Sequence, residues 1–136
     1  LVFDMKASSQ QKPRVMVVDD EEIILEIYKK MLEHMGIEAE PHAHGKDAVE
    51  SFINDPFGFD LIITDSNLPD IKGENLAKQL TGIRPDIPII LCSGYHEPTA
   101  DTLKESGFQA FLMKPVLYRD LEAAVLSNIV FPAHKA

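Results

Sequence analysis

RVMVVDDEEIILEIYKKMLEHMG, residues 14–36, decides the fold class. It opens with RVMVVD, a run of Val and Met of strand length. From Glu21 the pattern changes, and Ile24, Ile27, Met31 and Met35 recur at helical spacing until Gly36 stops the run. A strand therefore feeds straight into a helix, with Asp19, Asp20, Glu21 and Glu22 between them. Glu21 and Glu22 are explained as helix-start charge favoured by the helix dipole; Asp19 and Asp20 are not. The alternation repeats outward. IEAEPHA (37–43) reads as a second strand, and GKDAVESFIND (45–55) as a helix with Ala48, Val49, Phe52 and Ile53 on one side. FDLIITD (59–65) is a strongly apolar third strand, followed by the LPDIKG loop and a helix carrying Leu76, Ala77 and Leu80. IPIILCS (87–93) and FQAFLM (108–113) supply two more strands, the weakly patterned HEPTADTLKESG (96–107) a helix between them, and LYRDLEAAVLSNIV (117–130) the last helix. Five strands alternating with five helices imply right-handed crossovers and a parallel sheet covered on both faces. The expectation is an α/β, doubly wound (βα)5 domain over 14–130, after a linker or vector remnant at 1–13 and before a C-terminal tail at 131–136.

At 136 residues, 45% of them hydrophobic, the chain is long enough for one core and short for two. A net charge of -9, from 22 acidic and 13 basic residues, repels nucleic acid and anionic membranes, so neither is an expected contact of this segment. No stretch reaches the roughly 18 apolar residues of a membrane span, and no basic-then-apolar leader opens the chain. A cytoplasmic location is expected. Cys92 is the single cysteine, which excludes an internal disulfide or thiolate cluster and reads as a small core residue.

In doubly wound folds, ligands sit beyond the carboxyl ends of the strands, where strand order reverses. Strand one ends in Asp19 and Asp20 and strand three in Asp65. Carboxylates gathered at one edge raise one another's pKa values unless a cation compensates. Oxygen ligands in an incomplete protein shell suit Mg²⁺, and calcium's regular loop pattern is absent. Strand four ends in Ser93 and strand five in Lys114. A cation with open positions beside a lysine and a hydroxyl suits a phosphoryl group, whose charge lies on its equatorial oxygens. There is no GxxxxGK[ST] loop to cradle a nucleotide, but a carboxylate can itself accept a phosphoryl group. His42 and His44 lack a third metal-binding partner, and His34, His96 and His134 show no pattern of a transferable phosphohistidine.

VVDDEE (17–22), IITDSNLPDIKG (62–73), ILCSGY (90–95) and FLMKPV (111–116) together resemble the receiver domain of two-component response regulators over about residues 14 to 130. The resemblance implies a flavodoxin-like receiver fold in which Asp65 accepts a phosphoryl group from a histidine kinase or histidine phosphotransfer protein. It implies that Mg²⁺ is held by Asp19, Asp20, Asp65 and the backbone carbonyl of Asn67. By the same resemblance, Ser93 and Lys114 contact phosphoryl oxygens and Pro115 is the proline after the lysine, often joined by a cis bond. Asn67 and Tyr95 stand two positions beyond the acceptor and the hydroxyl residue, where they bear on hydrolysis. Ser93 and Phe111 form the implied switch; Phe111 lacks the hydroxyl of a Tyr, so packing must carry its preference. Self-catalysed phosphorylation and dephosphorylation follow, as does a possible homodimer through helix four, strand five and helix five. SGYHEPTADTLKESGFQAFLMKPV (93–116) is most similar to receivers of hybrid sensor histidine kinases. Two other readings stand beside this one. A Mg²⁺-dependent aspartyl-phosphate phosphatase ordinarily carries an acid where Asn67 stands, and needs a cap for which 136 residues leave little room. A receiver-fold binding module that is never phosphorylated has no need of Asp19, Asp20, Asp65, Ser93 and Lys114 together.

Overall fold

The structure is a computed structural model that describes residues 12–94 and 99–129. The five expected strands form β1 (Arg14–Val18), β2 (Glu38–His42), β3 (Leu61–Asp65), β4 (Ile89–Ser93) and β5 (Ala110–Met113). Between and after them lie α1 (Glu22–His34), α2 (Gly45–Asn54), α3 (Gly73–Ile83), α4 (Ala100–Glu105) and α5 (Tyr118–Asn128), with a 3-10 turn at Pro56–Gly58 that periodicity does not reveal. All strand pairs are parallel, in the order β2-β1-β3-β4-β5. The chain steps from β1 out to β2 and returns to β3 on the other side, so strand order reverses between β1 and β3.

The pleat sends alternate side chains to two layers. Val15, Val17, Leu61, Ile63, Ile90 and Cys92 meet α1 and α5 through Leu25, Leu32, Leu121 and Val125. Met16, Val18, Ile62, Ile89 and Leu91 meet the other helices, chiefly through Phe52, Leu76, Ala77 and Leu80, all fully buried. Two helices sit differently from their expected faces. The buried stripe of α1 is Leu25, Tyr28 and Leu32; Ile24, Met31 and Met35 lie at its margin, and Ile27 is 42% exposed. These two apolar rows are adjacent, so periodicity cannot choose between them and packing on the sheet does. On α2, Ala48 and Phe52 are buried, whereas Ile53 is 56% exposed. α4 begins only at Ala100, where the Thr99 hydroxyl accepts the Thr102 N–H at 3.1 Å and caps the helix.

β2 is the exception among the strands, half-exposed and carrying Pro41 opposite Val17. Proline cannot donate to a ladder, and it is accommodated because, among the described residues, β2 is an edge strand paired only with β1. Glu40 ties this edge down by accepting from Ser51 Oγ, the Arg14 guanidinium and, at 2.7 Å, His42 Nε2. Burial works to raise the Glu40 carboxyl, but these donors outweigh it and hold the pKa below the ordinary glutamate range.

Two expectations follow for stability. Leu32→Ala, at a fully buried site on α1, should cost about 2–5 kcal/mol in urea unfolding, and Ile23→Ala, 70% exposed, less than about 0.5 kcal/mol. A depressed Glu40 contributes stability that is complete above the unfolded glutamate pKa and is lost as pH falls through the folded value. The stability difference between wild type and Glu40→Gln should therefore shrink in urea titrations as pH is lowered; a constant difference would contradict this account.

Candidate functional site

Asp19 leaves β1 with its backbone N–H bound to the His42 carbonyl at 3.1 Å and its side chain 1% exposed. Its Oδ1 accepts the Glu21 N–H at 2.9 Å, and its Oδ2 accepts from Lys114 Nζ at 2.8 Å. Glu21 is the N-cap of α1 and makes no side-chain cap of its own, so the DDEE run folds inward through Asp19. Asp20 is exposed. Asp65, the last residue of β3, accepts the Ser66 N–H at 2.9 Å through Oδ1, which also lies 3.0 Å from Lys114 Nζ. One carboxylate oxygen from each of Asp19, Asp20 and Asp65 falls within 4.8 Å of the others. No other such group of potential metal ligands occurs among the described residues, and the histidine pair His42 and His44 takes no part.

The remaining candidates reach the same rim through strand register. Asp65 pairs with Cys92, which puts the buried Ser93 one residue further along β4. Ser93 in turn pairs with Met113, and its carbonyl accepts the Lys114 N–H at 2.8 Å. Pro115 follows through a cis peptide bond. Asn67 is exposed in the loop between β3 and α3, which closes through an isolated bridge between Asn67 and Lys72 and through Gly73 N–H to the Ser66 carbonyl at 2.9 Å. Gly73 is required by this closure, because a Cβ there would stand 2.6 Å from the Asp65 carbonyl oxygen. Phe111 is half-buried on β5, packed against the layer of Phe52 and Leu80, and borders a cleft toward Ala123 and Ser127 on α5. Tyr95 lies outside the described residues.

Burial raises the Asp65 carboxyl, the Lys114 ammonium pulls it back, and Asp19 raises it again; the net direction is upward. For Lys114, burial acts to lower the pKa, but hydrogen bonds to Asp19 and Asp65 prevail and hold it above the ordinary lysine range. Among the described residues, one ammonium among three carboxylates leaves the pocket anionic, and its oxygen-only donor set fits a hard divalent cation. Cys92, 1% exposed, is pushed up to about 12 by burial, which makes it a core thiol, as expected.

The family model for the response regulator receiver domain matches residues 15–126. The chain belongs to that family. The receiver is 32% identical over 111 residues to two-component response regulator ARR11 of Arabidopsis thaliana, covering 80% of this chain and 21% of that one. It is 30% identical over 132 residues to hybrid signal transduction histidine kinase G of Dictyostelium discoideum, covering 92% of this chain and 4% of that protein. The receiver thus spans about a fifth or less of these curated relatives. Among solved structures it is similar to a receiver domain protein from Clostridium thermocellum, at 27% identity and a TM-score of 0.80, covering 86% and 94% of the two chains. A CheY-like receiver from Methanospirillum hungatei gives 32% identity and a TM-score of 0.76, covering 85% and 92%. This is a receiver domain of two-component signalling with the flavodoxin-like fold. No described helix is long and apolar enough to cross a membrane.

Sequence reasoning passed over Asp70, whose carboxylate accepts the N–H groups of Gly45 and Lys46 at the start of α2. A faint signal exists: α2 opens on His44 and Gly45, with no capping side chain of its own. The electrostatics yield a test in chelator-treated receiver. Asp65→Asn, which removes one like charge, should raise stability by on the order of 1 kcal/mol. Lys114→Met, which strands Asp19, should lower it by about 3 kcal/mol. Thermal unfolding reads both, and a lower midpoint for Asp65→Asn would mean that the ion pair outweighs the repulsion.

Proposed function

We propose that the receiver accepts a phosphoryl group on Asp65 from the phosphohistidine of a histidine kinase or histidine phosphotransfer protein, and releases it by self-catalysed hydrolysis. The observation that carries this reading is the cluster at the strand-order reversal, where Asp65 lies beside Asp19 and Asp20 with Lys114 Nζ 3.0 Å away. Asp65 attacks phosphorus in line, a P–O bond forms, the P–N bond breaks, and its electron pair returns to the donor imidazole. Lys114 and Ser93 then present an ammonium and a hydroxyl to the phosphoryl oxygens. Asp19, Asp20, Asp65 and the Asn67 carbonyl are the residues that would hold Mg²⁺, which supplies neutralisation of charge on the transferring group. Asn67 and Tyr95 adjust access of water to the acyl phosphate.

Ser93 and Phe111 carry the switch as a population shift between two packings. The half-buried position of Phe111, between the core and the cleft toward α5, supports this role. The same reading takes residues 14–130 as the functional receiver, in the cytoplasm. It includes a homodimer through α4, β5 and α5. The likeness to a hybrid kinase of Dictyostelium discoideum supports a hybrid parent, and the net charge of -9 argues against nucleic acid contact by this segment.

Intact-mass measurement after incubation with acetyl phosphate and Mg²⁺ tests the proposal. Wild type should gain one phosphoryl group, and Asp65→Asn or chelator-treated wild type none. Continuous turnover of a small phosphate ester would favour the phosphatase reading, and a chain that never gains mass would be a binding module.

A further inference from the structure

We propose that Asp70 is a positioning residue for this site, a carboxylate clip that fastens the loop between β3 and α3 to the first turn of α2 and thereby sets the Asn67 carbonyl. The inference rests on the proposed Mg²⁺ role of that carbonyl. A helix leaves its first N–H groups without intrahelical partners, and they are ordinarily met by a side chain just before the helix. α2 has no such residue, because its N-cap is His44, which makes no capping bond. The need is met from across the fold: Asp70 Oδ1 accepts the Gly45 N–H at 3.0 Å, and Oδ2 accepts the Lys46 N–H at 2.8 Å. A carboxylate at a helix N-terminus is favoured by the helix dipole, and both bonds are charge-assisted. The Asp70 carboxyl is held below its usual range, foremost by the Lys46 N–H.

The loop and helix are also shaped for one another. A Cβ on Gly45 would stand 2.1 Å from Ile71 Cγ2, so a larger residue there would have to displace the Ile71 side chain. Leu68 is buried 8% exposed beneath the loop, and its N–H donates to the Ile71 carbonyl at 3.2 Å. Asn67 and Asp70 therefore belong to one small closed unit, fastened at its root by Gly73 and at its tip by Asp70. The Asn67 side chain is exposed, which leaves orientation of its backbone to that unit. α2 follows β2, whose His42 carbonyl accepts the Asp19 N–H, so the clip joins the β1 and β3 sides of the pocket.

The test compares the full chain with Asp70→Ala, Asp70→Asn and Gly45→Ala, and with Thr99→Ala as loss of a helix cap elsewhere. Calorimetric titration with Mg²⁺ is paired with amide hydrogen exchange in metal-free protein. Asp70→Ala and Gly45→Ala should each weaken Mg²⁺ about tenfold, the lower end of the loss seen when groups that orient metal ligands are removed. Both should speed exchange at the Leu68 and Gly73 amides. Asp70→Asn, which keeps one accepting oxygen, should recover part of the affinity, and Thr99→Ala should bind as wild type does. Unchanged affinity in Asp70→Ala would overturn the inference alone and leave Asp70 as a cap for α2. Failure of wild type to bind Mg²⁺ would overturn the metal assignment, and the inference with it.

Discussion

Lys114 Nζ stands 2.8 Å from Asp19 and 3.0 Å from Asp65, and this single ammonium makes the carboxylate cluster compatible with a folded chain. Parallel register leaves no freedom in the matter. Once β1 and β3 lie side by side, the residues that follow them emerge at one rim, and β5 delivers Lys114 to that rim through the carbonyl of Ser93. The compensation is incomplete, since Asp65 remains harder to ionise than an ordinary aspartate. A pocket that is anionic and part-buried stores unfavourable energy at the place where the proposed cation and phosphoryl group would bind. The closely fitted loop after β3 belongs to the same economy of space. Its root at Gly73 touches the Asp65 backbone, and its tip at Asp70 is bound to another helix.

Much of this was legible in the sequence because strand ends are fixed by period and order. Asp19, Asp20, Asp65, Ser93 and Lys114 could be assigned to one rim from the alternation of strands and helices alone, and the structure brings them there. Leu76, Ala77 and Leu80 were equally plain, since α3 has one apolar face and no competing row. Rotation of α1 was not readable, because two adjacent apolar rows satisfy the same spacing. Nor was the role of Asp70, which depends on a loop conformation and on donors about two dozen residues away in sequence. Arg84 escaped for a similar reason. It is 5% exposed and donates through Nη1 to the carbonyls of Pro56 and Phe59, at 3.0 and 2.6 Å, in a turn that no periodicity announces.

The two helical layers share the work unequally. α1 and α5 cover one face of the sheet largely through aliphatic contacts, while α2 and α3 cover the other and also anchor the loop that borders the pocket. Phe111 belongs to this second face, although it sits on the strand that leads to Lys114.

Pro41 has a consequence beyond its own strand. An open sheet edge is a template on which a second chain can add a strand, and nearly identical domains held close together are the most exposed to that error. Among the described residues, β2 presents such an edge, with a missing donor at Pro41 and carboxylates at Glu38 and Glu40. Copies of this domain can accordingly be crowded, whether on one polypeptide or on an array of partners, without zipping together along this side of the sheet.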